Sequence, residues 1–113
     1  MGGVEAGARG AIDIHTHIVP ETFPHYAGTR GNVPWPSMQP AHACHAHVMI
    51  EGKTYRTVHQ SCWIADERVK DMDRLSIALQ CLSPMPELLS YWLPTADAQV
   101  LVRYLNDEIA SMV

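Results

Sequence analysis

The chain has 113 residues, 47% of them hydrophobic and 18% charged, and eight basic against twelve acidic side chains give a formal charge of -4. That length and balance suit one small domain able to bury a core, and they exclude a disordered chain. No basic tract long enough for an electrostatic nucleic-acid footprint occurs, and no apolar run approaches the roughly 20 residues that a membrane span needs.

In chain order, the opening MGGVEAGARG lacks the apolar core of a signal peptide, and its glycines predict a flexible leader over residues 1–10. Cys44, Cys62 and Cys81 are odd in number and contain no C-x-x-C pair, which argues for a reducing compartment, the cytoplasm being the expectation. From Ala11, the isoleucines at 12, 14 and 18 alternate with Asp13, His15 and His17, which is a strand pattern closed by Pro20. Residues 20–40 hold five prolines and predict an irregular segment. HVMIEGKTYRTV then places two β-prone runs around Glu51-Gly52, a hairpin with a tight turn.

ADERVKDMDRL predicts a helix with Asp66 as its N-cap and Val69, Met72 and Leu75 on one stripe. SIALQCLS is a short apolar run suited to a buried strand, and a strand after a helix predicts a parallel βα arrangement. Pro84 to Pro94 reads as a loop with a helical turn. The last segment predicts an amphipathic helix capped by Thr95, with Val100, Leu101, Tyr104, Leu105 and Ile109 on its apolar side.

The chemistry sits in AIDIHTHIVP. Side chains two apart on a strand share a face, so His15 and His17 point the same way, at the strand's C-terminal end. Two imidazoles so placed are able to chelate one metal ion, and Zn²⁺ favours nitrogen ligands. With seven histidines in the chain, a bare H-x-H also arises by chance, and a second one occurs at His45 and His47.

IDIHTHIVPE resembles the first-strand signature of the amidohydrolase superfamily, metal-dependent (β/α)8 barrels. GKTYRTV, SCW, ERVKDMDRLSIALQCLS and LSYWLPTADAQVLVRYLNDEIAS, in that order, are similar to its 2-amino-3-carboxymuconate 6-semialdehyde decarboxylase branch. The resemblance covers residues 11–113 and implies an α/β chain forming the first two βα units of a TIM (β/α)8 barrel with an inserted β-hairpin. It implies that His15 and His17 are metal ligands, for Zn²⁺ or another divalent ion. Arg56, which by itself reads as an ordinary exposed cross-strand residue, is implied by the resemblance to hold the carboxylate of a small-molecule substrate, a task suited to a guanidinium fork. Tyr91 and Trp92 would line the barrel mouth.

The chain also departs from that pattern. The branch takes a further histidine and an aspartate for its metal from later strands, and another histidine assists catalysis. The sequence stops after the second helix, whereas such a barrel needs about 250 residues. The expectation is therefore an N-terminal fragment of a metal-dependent non-oxidative decarboxylase, incomplete as a barrel, inactive alone and without a catalytic residue of its own. The alternatives are a hydrolase or hydratase of the same superfamily, or a non-catalytic module that self-associates into homo-oligomers or binds metal through its histidines. Ile50 stands where a family member can carry lysine.

Plainer readings apply elsewhere. HACHAH is read as a loop running into the hairpin, with metal uptake by His42, Cys44, His45 and His47 as the alternative. His25 and His59 read as surface or loop residues. Cys62 and Cys81 read as small buried residues, Trp63 as a core or hairpin anchor, and the charges from Asp66 to Asp73 as a solvated helix face. Asp13 has no assigned role.

Overall fold

The computed structural model describes residues 10–113, so the proposed leader lies outside the described residues apart from Gly10. Two small sheets carry the fold. Strand β1 (Ala11–Ile18) pairs in parallel with β5 (Ile77–Pro84), and β2 (Pro36–Pro40), β3 (His45–Ile50) and β4 (Lys53–His59) form an antiparallel meander. Helix α1 (Ala65–Leu75) connects β4 to β5, and α2 (Thr95–Met112) ends the chain. This is an α/β chain with the parallel pairing and βα order that the sequence predicts.

Several predicted elements fall where expected. β1 ends at Ile18, two residues before Pro20, and the short 3-10 turn Pro86–Leu88 is the helical turn of the proline-rich loop. The Glu51-Gly52 turn has positive φ at both residues, 54° and 74°, the conformation that lets a two-residue loop follow the strands' right-handed twist. Gly10, assigned to the flexible leader, is instead tightly placed. A Cβ there would sit 2.7 Å from the Ser76 carbonyl oxygen, and its φ is +57°.

Other expectations need correction. Residues 36–40 form a strand within the segment expected to be irregular; its prolines stand at the first and last positions of an edge strand, where a missing N–H disturbs the ladder least. HACHAH is loop only in part, because His45 and His47 belong to β3. Neither predicted cap forms: Ile64 and Pro94 are the N-cap residues, and Asp66 and Thr95 lie inside their helices. Asp66 and Glu67 still favour the positive end of α1, and Arg74 its negative end.

The core is Val19, Val48, Met85, Leu88, Leu93, Leu101 and Leu105, with Phe23, Trp35 and Val58 packed against it. It joins the meander, the segment after β5 and α2 at the C-terminal end of the parallel pair. The opposite side is bare. α1 buries no residue, Ile12, Ile14 and Leu79 are 60%, 78% and 61% exposed, and Cys81, read as buried, is exposed for the same reason. No helix among the described residues is long and apolar enough to cross a membrane.

Candidate functional site

His15 and His17 leave the end of β1 together, and their Nε2 atoms approach to 3.1 Å. Between Asp13 and Thr16 the pairing with β5 slips by one residue, and there Asp13 Oδ1 accepts the His15 N–H at 3.1 Å. Asp13 thus satisfies a backbone donor that the irregular ladder leaves free.

The tautomer of His17 follows from its neighbour. Ser83, directly across on β5, donates its single hydroxyl proton to the Thr16 carbonyl oxygen at 3.0 Å. Its oxygen then accepts from His17 Nδ1, 3.0 Å away, so the ring proton sits on Nδ1 and Nε2 keeps its lone pair. A hydrogen-bonded second nitrogen of this kind orients a ligating imidazole. Two nitrogens each about 2.0–2.1 Å from a common zinc ion lie about 3.3 Å apart at the tetrahedral angle, close to the separation found here. The residues fit one metal ion as half of a site; no group of three or more His, Cys, Asp or Glu able to hold a metal occurs among the described residues.

Arg56 reaches the same place from the meander. The β3–β4 register shifts between Val48 and Met49, leaving Tyr55 as the extra residue and pairing Arg56 with the buried Val48. Arg56 therefore shares the core-facing side and lines a cavity of about 320 Å³ with His17, Val19, Cys62, Met85 and Glu87. Its Nη2 donates to Glu87 Oε2 at 3.2 Å, while Glu87 Oε1 is buried with no partner among the described residues. His15 adjoins this cavity through His17 rather than lining it. A larger hollow of about 720 Å³ runs along α2 past Tyr91, Leu93 and Arg103, and contains none of these three site residues.

Arg68 corrects the reading of α1 as a wholly solvated charged face. Its guanidinium turns under the sheet, donating to the His17 carbonyl at 2.7 Å, Thr16 Oγ1 at 3.0 Å and Gln80 Oε1 at 3.3 Å. Burial pushes its pKa down, and Cys62, Asp13 and Asp71 pull it back up. Burial likewise pushes the Cys62 thiol up, with Arg68 opposing.

Tyr91 and Trp92 do not join the site: they are 83% and 50% exposed, and neither lines the His17–Arg56 cavity. The second histidine group is not HACHAH alone. His45 stacks on His42 at 4.5 Å and meets His59, its cross-strand neighbour, edge-on at 5.2 Å. His59 Nδ1 accepts the Ser61 N–H, which places its own proton on Nε2 and leaves no lone pair for a metal. Sequence reasoning missed Ser83, Glu87 and Arg68. Only Ser83 left a trace, as a polar residue closing an apolar strand run.

No family model matches the chain. It is 38% identical over 102 residues, 90% of its length, to a 2-amino-3-carboxymuconate-6-semialdehyde decarboxylase of Dictyostelium discoideum, and 31% identical over 98 residues, 87% of its length, to the enzyme of the same name from Caenorhabditis elegans. The chain spans 28% and 24% of those relatives' lengths. Over nearly all of its own length, then, this chain is similar to the 2-amino-3-carboxymuconate-6-semialdehyde decarboxylases, as its sequence blocks predict.

Proposed function

We propose that the chain is part of a metal-dependent, non-oxidative decarboxylase built on a (β/α)8 barrel, with β1 and β5 as its first two barrel strands and the meander as an insertion. The observation that carries this reading is the meeting of the His15 and His17 nitrogens beside a cavity shared by His17 and Arg56.

His15 and His17 would hold a zinc or other divalent ion, which when bound supplies Lewis acidity at the substrate. His17 offers Nε2 because Ser83 keeps its proton on Nδ1. His15 brings a second nitrogen, with its backbone set by Asp13. Arg56 would grip one carboxylate of a small substrate, fixing the molecule so that another is lost as CO₂. Two protein nitrogens rarely hold zinc tightly, so further ligands and the proton-transfer groups would come from other parts of a complete barrel. Hydrolysis or hydration on the same barrel would use the same two ligands and is the second reading.

The test is metal content. Titrated with zinc, the chain should bind it weakly, and that binding should be lost in His15→Ala and His17→Ala and kept in His45→Ala; loss only in His45→Ala would overturn the first-strand site. The 113-residue chain assayed alone should show no decarboxylase turnover.

A further inference from the structure

We infer that Arg68 of α1 is a positioning residue, which holds a bulge in β1 from the far face of the sheet and so sets how closely the His15 and His17 nitrogens approach. The inference rests on the reading of that pair as ligands of one ion. From Asp13 to Thr16 the chain takes three steps along β1, while their partners Gln80 and Leu82 are two steps apart on β5. One residue more on β1 than on β5 is a β-bulge, and it falls on the segment that carries His15. A bulge bends its strand and re-aims the side chains beside it. Residues two apart on a regular strand are spaced by about 6.6 Å, so the 3.1 Å approach of the two ring nitrogens is sensitive to that bend.

Arg68 grips both sides of the bulge. Its Nη1 donates to Gln80 Oε1, on the residue paired with Asp13 before the bulge, and to Thr16 Oγ1 after it. Its Nη2 donates to the His17 carbonyl at 2.7 Å, the shortest of the three bonds. Strand alternation sets Thr16 on the face opposite the two imidazoles, and Arg68 does not line the cavity beside them. Any geometric effect of Arg68 on the histidines therefore travels through the β1 backbone. The planar fork suits the task, because one rigid group spans acceptors on two strands, whereas a lysine ammonium is a point donor. Arg68 Nε is buried without a partner among the described residues, so the guanidinium is placed for the span although one of its own donors goes unmet.

The test reads the histidine pair by NMR in the isotope-labelled chain, first without metal and then titrated with zinc. In the unsubstituted chain the His15 and His17 rings should show NOE contacts with each other, and zinc should shift both. In Arg68→Met, which keeps the apolar stem, those contacts should vanish and zinc affinity should fall about tenfold or more, with amide dispersion retained. Arg68→Lys keeps the charge without the fork and should leave both defects in place. The direction of the change is diagnostic: loss of a nearby cation would by itself tighten zinc binding, and a merely structural arginine would lower the urea midpoint alone. If Arg68→Met does not fold, Thr16→Val with Gln80→Met, which cuts two of the three bonds and keeps the guanidinium, is judged by the same two readouts. Unchanged or tighter zinc binding in a folded variant, ring contacts that persist, or rescue by Arg68→Lys overturns the inference while the ligand pair stands. If His15→Ala and His17→Ala bind zinc as the unsubstituted chain does, the reading of the pair as ligands fails and the inference falls with it.

Discussion

Ser83 is the residue on which the histidine pair turns. It accepts from His17 Nδ1 and donates to the Thr16 carbonyl, so it sets both the ring's orientation and its tautomer. Ser83→Ala should weaken zinc binding about 10- to 100-fold with little change in the fold. Competition against a chromophoric chelator measures this, and an unchanged affinity would show that Ser83 does not prepare the ligand. Cys62 gives a second test. Its pKa lies above the ordinary thiol value of 9.0, so the fold favours the protonated form; that contribution is complete below the ordinary value and fades as pH rises through the folded one. At pH 8, iodoacetamide should label the exposed Cys44 and Cys81 well before Cys62, as followed by peptide mass spectrometry. Equal rates would contradict the shielding. The histidine pair was legible in the sequence because strand alternation alone brings residues two apart together. Ser83 and Glu87 were not, because each becomes a neighbour of His17 or Arg56 only once β5 and its following turn are placed.

At the level of elements, hydrophobic period and turn residues revealed β1, the β3–β4 hairpin, both helices and β5. What escaped them was decided by backbone detail. β2 was hidden by its two terminal prolines, which local propensity counts against a strand although an edge position tolerates them. Counted from the Glu51-Gly52 turn, Arg56 would fall opposite His47; the extra residue at Tyr55 sets it opposite Val48, on the face it shares with Val58 two residues on, and a bulge of that kind has no reliable sequence mark when no glycine is involved. The end of α1 offers a direct test. Ser76 closes it in the left-handed region at φ 56°, a conformation that favours glycine. Ser76→Gly should stabilise the chain by about 0.5–1 kcal/mol in urea denaturation. A loss of stability would mean that the Ser76 side chain contributes more than its backbone strain costs.

The molecule as a whole has a finished side and a bare one. The core holds the site end of the parallel pair, whereas Ile12, Ile14, Leu79, Val69 and Leu75 stand more than half exposed on the other elements. Composition predicts a chain able to bury a core, and the core does form, but it cannot show which faces remain uncovered. Exposed apolar side chains in this number favour association. The isolated chain should sediment as oligomers at micromolar concentration, and Ile14→Lys with Leu79→Lys should shift it toward monomer. A monomeric unsubstituted chain would show that these side chains are tolerated in water.

The Ser83 hydroxyl also ties together residues that lie 66 positions apart in the chain. Since one oxygen answers both to His17 and to the backbone beside it, occupancy at His17 and the zippering of β1 onto β5 are a single equilibrium viewed from two ends. Whatever free energy a bound ion gains from the oriented ring, the strand pair gains in return. A slip of one residue between the strands would turn Ser83 to the opposite face and surrender both at once. Strand register is thereby part of the ligand's chemistry, and the ion would proofread the register that receives it.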